Sequence, residues 1–180
     1  MKFLTILAFM PLMGFAQKDP IDTARFYYSE IVEQHGASAT ILQSRARVFL
    51  SEVFKDGRAA ITLDDTASGV IVAKGIIVPV VKNFYYGTNN YGYVHFTTKL
   101  QFKDGKYKFE FSNFEHEGNG RNIASGGPLE SAKPACGTFY MMEGDWRKVK
   151  KYVTGQVVEM AVGLKLAMMS DEIGSKKDNF

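Results

Sequence analysis

Cysteine is nearly absent: Cys136 is the only one in 180 residues. No disulfide can therefore form within the chain, and its hydrophobic core must hold the fold. A lone thiol with no activating partner nearby in the sequence reads as a buried, inert side chain. A charge excess is also missing, since the formal net charge is +3 and no dense basic stripe occurs, which argues against nucleic acid. No apolar run reaches the roughly 20 residues that a membrane-spanning helix requires. No glycine-rich turn ends in Gly-Lys-Ser/Thr and no Gly-x-Ser-x-Gly elbow is present, so phosphate-loop and α/β-hydrolase chemistry are excluded. No cofactor is expected.

The first sixteen residues carry a leader pattern. Lys2 gives a positive start, Phe3 to Phe15 an apolar stretch, and Gly14-Phe15-Ala16 the small residues that signal peptidase needs. A signal peptide over 1–16 is predicted, with a periplasmic or secreted product beginning at Gln17; no cysteine follows, so lipidation is not expected there. Removing sixteen of 180 residues leaves 164, which suits one domain over 17–170 with a flexible tail over 171–180. Phe and Tyr are abundant, at 14 and 9, and favour a sheet with a packed face.

Residues 25–33 match both a helical and a strand template, and their aromatic and β-branched content tips them toward a strand. Ala39, Leu42, Ala46, Phe49, Leu50 and Val53 recur at steps of three and four, which predicts an amphipathic helix. Ser38 or Thr40 can cap its start, Thr40 with Gln43 has capping-box spacing, and Asp56-Gly57 ends it. Residues 59–63 and 69–78 read as strands around the loop 64–69, and Pro79 belongs at an edge, bulge or strand end.

Asp104-Gly105 centres a hairpin between two runs of strict alternation, and a two-residue type I′ loop fixes its register. Phe102 then faces Tyr107, Leu100 faces Phe109 and Thr98 faces Phe111 on one side; Lys99 faces Glu110 and Gln101 faces Lys108 on the other. A slip of one residue would exchange these faces, so turn and hydrophobic pattern agree.

Residues 117–145 are rich in Gly, Ser, Pro and Asn and read as a long loop, with one short strand in the region Thr138 to Met142. Loops of such length are commonly functional. Asp145 resembles an N-cap, and Trp146, Val149, Val153, Val157, Met160, Leu164 and Met168 form the apolar stripe of a second helix over 145–169.

A strand, a long helix, an antiparallel meander and a closing helix, together with Ile61-Thr-Leu-Asp-Asp65, Gly69-Val-Ile-Val-Ala-Lys-Gly75 and Lys103-Asp-Gly-Lys-Tyr-Lys-Phe-Glu-Phe111, carry a family likeness. Over residues 25–117 the chain resembles the domain-of-unknown-function family with a TATA-binding-protein-like fold found in exported proteins of Gram-negative bacteria. The resemblance implies an α+β fold, with a single antiparallel meander sheet of about five strands and two helices on one face. It implies no catalytic residues and no DNA binding.

Continuing the hairpin register outward, His95 faces Phe114 and Tyr93 faces His116, which predicts that Tyr91, Tyr93, His95, Phe114 and His116 share the face opposite the helices. Two imidazoles placed diagonally at about 7–8 Å can approach one metal, but a third ligand is missing and no metal is predicted. Aromatic platforms suit a protein, peptide or glycan of the cell envelope; alternatively the long loop or the chain's own end covers them as a second small core. Arg147, Lys148, Lys150 and Lys151 stand in the first turns of the last helix, where cations oppose the helix dipole. They suit an acidic surface such as a phosphorylated lipid head group, or a solvated helix face. Asp64 and Asp65 read as turn formers, because one carboxylate pair lacks the spaced oxygens of a calcium site. The favoured function is a non-enzymatic exported binding domain using its open sheet face and long loop. The alternative is a small periplasmic hydrolase with an unrecognised site.

The leader motif has a direct test. Intact-mass analysis of protein from an exporting host is expected to show a chain beginning at Gln17; a product that keeps Met1 to Ala16 would refute the cleavage site.

Overall fold

The computed structural model describes residues 21–22, 25–54, 60–83, 87–120 and 123–169. The signal peptide expected over 1–16, Asp56-Gly57, Phe84-Tyr85-Tyr86 and the tail expected over 171–180 lie outside the described residues. In chain order the elements are β1 (Ile21–Asp22), β2 (Tyr27–Glu33), α1 (Ala39–Val53), β3 (Ala60–Asp65), β4 (Val70–Ile77) and β5 (Val80–Asn83). Next come β6 (Gly87–Asn90), β7 (Tyr93–Lys103), β8 (Lys106–Glu117), β9 (Gly127–Pro128) and α2 (Glu143–Met169). The main sheet is antiparallel in the order β1-β2-β8-β7-β4-β3, with β9 beside β8, and β5 pairs with β6 as a separate hairpin. It thus exceeds the expected five strands through the two-residue pieces β1 and β9.

Both helices cover one face. Phe49 and Leu50 of α1 and Val149, Val153, Val157, Ala161 and Leu164 of α2 share a buried cluster with Ile71, Val94, Phe96, Leu100, Phe109 and Phe111 of the sheet. Much of that core is aromatic. Tyr28 stacks on Phe109 at 5.6 Å, Phe96 on Phe114 at 5.6 Å, and Phe26 meets Phe114 edge-on at 5.1 Å. Such pairs stabilise beyond their buried area. The opposite face carries the alternate residues of each strand, among them Ile31, Lys108, Gln101 and Val70 in one cross-strand row and Ser29, Glu110, Lys99 and Val72 in the next.

The hairpin pairs as the alternation requires: Lys103 with Lys106, Phe102 with Tyr107, Leu100 with Phe109 and Thr98 with Phe111. Its turn differs from type I′. Only Gly105 has a positive φ, 75°, whereas type I′ requires both loop residues there, so the φ pattern is that of type II. Contacts with the β2–α1 connection explain the choice. Gly105 N donates to Ala37 O (2.9 Å), Gln34 N to Gly105 O (2.7 Å) and Ala39 N to Asp104 Oδ1 (2.8 Å). Asp104 therefore brings a carboxylate to the N-terminus of α1, whose own first turn has none, and that placement complements the helix dipole.

Ser38 is the N-cap of α1, its hydroxyl accepting from Ile41 N (3.3 Å). Gln43 makes no capping box, since its amide donates to Asp64 Oδ1 (2.9 Å), beside which Arg47 Nε donates to Asp64 Oδ2 (2.6 Å). Arg47 holds the Asp64 carboxyl below its usual range through that hydrogen bond. Asp65 closes the turn to β4 by accepting from the backbone of Ala67 (2.9 Å) and Ser68 (3.2 Å). Val53, expected on the packed stripe, is exposed in the last turn of α1. In α2, Ala161 is fully buried where Met160 was expected, and Met160 only packs at the margin. Pro79 follows the end of β4 and accepts from Tyr91 N (2.9 Å).

The register assigns opposite roles to neighbouring side chains. Phe109 is 0 % exposed, so Phe109→Ala is expected to cost about 3–5 kcal/mol in a denaturant melt. Lys99 lies on the other face, and Lys99→Ala should cost no more than about 1 kcal/mol. The reverse order would disprove the register.

Candidate functional site

The hairpin register does not continue to the far end of the sheet. Asn113 has φ 55°, a left-handed conformation that Asn tolerates better than most residues. There β8 gains a residue against β7, so that His95 pairs with Glu115 and Tyr93 with Glu117. A bulge of one residue exchanges the faces of everything beyond it. Phe114 and His116, expected on the open face, lie instead on the helix face, 2 % and 1 % exposed, and Tyr91 is buried too. Only Tyr93 and His95 stay on the open face, where His95 Nε2 meets Glu117 Oε2 at 2.7 Å. The two histidines point to opposite sides of the sheet and cannot share a metal. Among the described residues no three metal-binding side chains converge.

His116 has become a structural hub. Its Nδ1 accepts from Gly126 N (2.9 Å) and its Nε2 bonds Tyr91 O (2.5 Å). Because Nδ1 accepts, the proton of the neutral ring belongs on Nε2, where it is donated to the carbonyl. The ring also packs edge-on against Trp146 at 5.7 Å. Gly126 has no room for a side chain, since a Cβ there would lie 2.6 Å from the Trp146 ring.

These contacts fold residues 123–142 onto the core. Their short strand is β9, not Thr138 to Met142, and Leu129 N donates to Phe114 O (3.0 Å) beside it. Leu129 is fully buried, and Cys136 packs half-buried against the core. The segment thus covers the aromatic end of the sheet from the helix side, where Tyr91, Phe114 and Leu129 belong to the one main core rather than to a second small core on the open face.

The basic residues of α2 do not form one patch. The helix begins at Glu143, so Asp145 lies in its first turn rather than capping it. Lys148 Nζ pairs with Asp145 Oδ1 (3.0 Å). Lys150 donates to Ser131 O (2.6 Å) with its ammonium 5.5 Å from the centre of the Trp146 ring, and burial lowers its pKa. Arg147 is exposed. Lys148 and Lys151 join Lys82 along an open groove of about 450 Å³ between α2 and β5.

Two arrangements were not foreseen. On the open face beside the hairpin turn, Lys103, Lys106 and Lys108 surround a groove of about 310 Å³ with Ile31 and Gln101. Their alternation around Asp104-Gly105 already placed them on one face; what the sequence did not show was Ile31, which β2 brings opposite Lys108. At the edge of the helix face, Glu30 accepts from Tyr28 Oη (2.8 Å) and from Lys165 Nζ (3.1 Å), which ties α2 to β2. Burial pushes the nearby Tyr107 hydroxyl up to about 12.

Burial lowers the pKa of His116 from its ordinary 6.5. The unfolded chain then binds this proton more tightly than the folded one, so stability present above about pH 6.5 is lost as pH falls toward the folded value. Protonation also turns the acceptor of Gly126 N into a second donor. Urea melts are expected to show stability falling from about pH 7.5 to 5.5 in the wild type more steeply than in His116→Gln, which keeps a donor and an acceptor. Equal slopes would disprove the assignment.

The family described as a domain of unknown function (DUF4468) with TBP-like fold matches residues 28–117, half of the chain. The fold is similar to that of a DUF4468 family protein from Bacteroides ovatus, with a TM-score of 0.65 and 14 % identity over 82 % of this chain and 88 % of that one. It is also similar to a TBP-like protein from Parabacteroides distasonis, with a TM-score of 0.65 and 12 % identity over 84 % of this chain and 97 % of that one. At such identities the likeness concerns the fold alone. No curated protein matches the sequence. The matched span runs from β2 through the bulged end of β8, the same strands that build the open face and its reverse, and on this match the chain belongs to the DUF4468 family.

Proposed function

We propose that this chain is an exported, non-enzymatic binding domain that takes an anionic ligand of the cell envelope, a peptide or a glycan, on the sheet face opposite its helices. The observation that carries this reading is the groove beside the hairpin turn, where Lys103, Lys106 and Lys108 stand around Ile31. Lysine stems supply apolar walls while their ammonium groups reach the rim, a combination suited to an extended ligand with acidic groups. Lys108 is engaged by Glu110, which leaves Lys103 and Lys106 as the groove's available charges. Toward the bulge the face changes character, with His95, Glu115, Glu117 and the 39 %-exposed Tyr93. A ligand lying along β7 would meet cations at one end and an aromatic platform at the other, which gives it a direction. Of the 117–145 segment, expected to share in binding, residues 126–129 pack on the reverse side of the sheet, away from the groove. Export rests on the leader pattern of residues 1–16.

Charge reversal tests the reading. Lys103→Glu with Lys106→Glu should leave the melting temperature within about 2 °C of the wild type, since both are surface substitutions. Recovery of ligand from an envelope extract should fall about tenfold or more. Tyr93→Ser should weaken recovery as well. Unchanged recovery in both variants would refute the open face as the binding surface.

A further inference from the structure

Among the described residues, the most exposed large apolar side chains near one point are not on the sheet. Phe139 is 93 % exposed, and Tyr140 and Met142 are each 67 % exposed, in the turn immediately before α2. This turn is held in place rather than loose. Gly137 N donates to Pro134 O (3.0 Å), Tyr140 N and Met141 N both reach Gly137 O (3.2 Å each), and Met141 is 3 % exposed within the core. Anchoring Met141 inward drives its neighbours outward, where the Phe139 and Tyr140 rings meet edge-on at 5.4 Å. The result is an apolar knob of three side chains standing out into solvent.

The charges beside the knob are biased in sign. Glu143 is matched by Lys133 at 3.1 Å and Asp145 by Lys148 at 3.0 Å, while Glu130 acts on Lys150. Arg147 and Lys151 remain, one and two turns beyond Glu143 on the same side of the helix. At about 1.5 Å per residue, Arg147 sits within one screening length of the knob.

We propose that this knob is a membrane-surface anchor, in which Phe139, Tyr140 and Met142 enter the interfacial layer of a bilayer while Arg147 and Lys151 meet anionic lipid head groups. High exposure and side-chain chemistry favour a lipid surface over a protein pocket. Aromatic rings favour the head-group level of a bilayer, and cations just outside the apolar contact are drawn to acidic lipids. Attachment through a few side chains is weak and reversible. The knob adjoins the N-terminal end of α2, which packs on His116 near the end of β8, far along the strand from the hairpin turn. It could therefore sit on a membrane while the lysine groove stays in solution.

Co-sedimentation of the full chain with vesicles tests this. At low salt the wild type should pellet with vesicles of phosphatidylcholine containing phosphatidylglycerol, and at least about fivefold less with phosphatidylcholine alone. Phe139→Ser with Tyr140→Ser should weaken binding about tenfold or more, and Arg147→Gln with Lys151→Gln should remove the preference for the anionic vesicles. As a second readout, the fluorescence of Phe139→Trp should shift to the blue on vesicle addition, because Trp146 is already buried. Failure of the wild type to pellet with either vesicle overturns the proposal, as does binding insensitive to the serine pair. If the pair instead dissolves a dimer and vesicles have no effect, the knob is a self-association surface and the proposal fails.

Discussion

Asn113 takes a left-handed backbone with φ 55°, and the extra residue this accommodates in β8 lets aromatic side chains face the helices on both sides of the bulge. Before it, Tyr107, Phe109 and Phe111 point inward by simple alternation; beyond it, Phe114 and His116 do so because the alternation has been reset. Without the reset Phe96 and Phe26 would lose Phe114, and Gly126 would lose its acceptor on His116. The packing of the 123–135 segment follows from that exchange of faces. The core at this end of the sheet is therefore conditional on one backbone conformation, which β-branched residues rarely adopt.

Where local chemistry and long-range pattern pointed the same way, the sequence was legible. Asp104-Gly105 and its flanking alternation determined the pairing of Thr98 to Lys103 with Lys106 to Phe111, and the three-and-four spacing from Leu42 to Leu50 determined the buried stripe of α1. The turn type was not legible, because it answers to the Ala37 carbonyl and Ala39 amide, more than sixty residues away in the chain. Nor was the bulge. Asn113 was its only local sign, and Asn is equally at home in ordinary turns. With the bulge unseen, the two histidines and three aromatics of the candidate patch fell onto one face when the fold divides them. Residues 123–142 lacked periodicity because they are held by single hydrogen bonds and isolated buried side chains such as Leu129 and Met141, which leave no repeating trace.

Charge on this protein follows the same logic of position over composition. A net charge of +3 is unremarkable, yet Lys103, Lys106 and Lys108 gather at one end of the open face while Glu115 and Glu117 occupy the other. In α2 the dipole conflict posed by its basic residues is reduced by Glu143 and Asp145 in the first turn, each holding one lysine. Lys150 is withdrawn to Ser131 and Trp146. Surface fields of this kind depend on which cations are already engaged, a distinction that counting residues does not capture.

The place of β2 in the sheet bears on how the chain acquires its structure. Apart from two residues of β1, its ladder partner is β8, with Tyr28 beside Phe111 and Glu33 beside Lys106. The start of α1 likewise waits for Asp104 and Gly105. A chain emerging in order from a ribosome would hold β2 without its main ladder partner until the hairpin arrived. Pairings so distant in sequence slow folding, and until β8 arrives the edge of β2 that it covers stays open to any other strand.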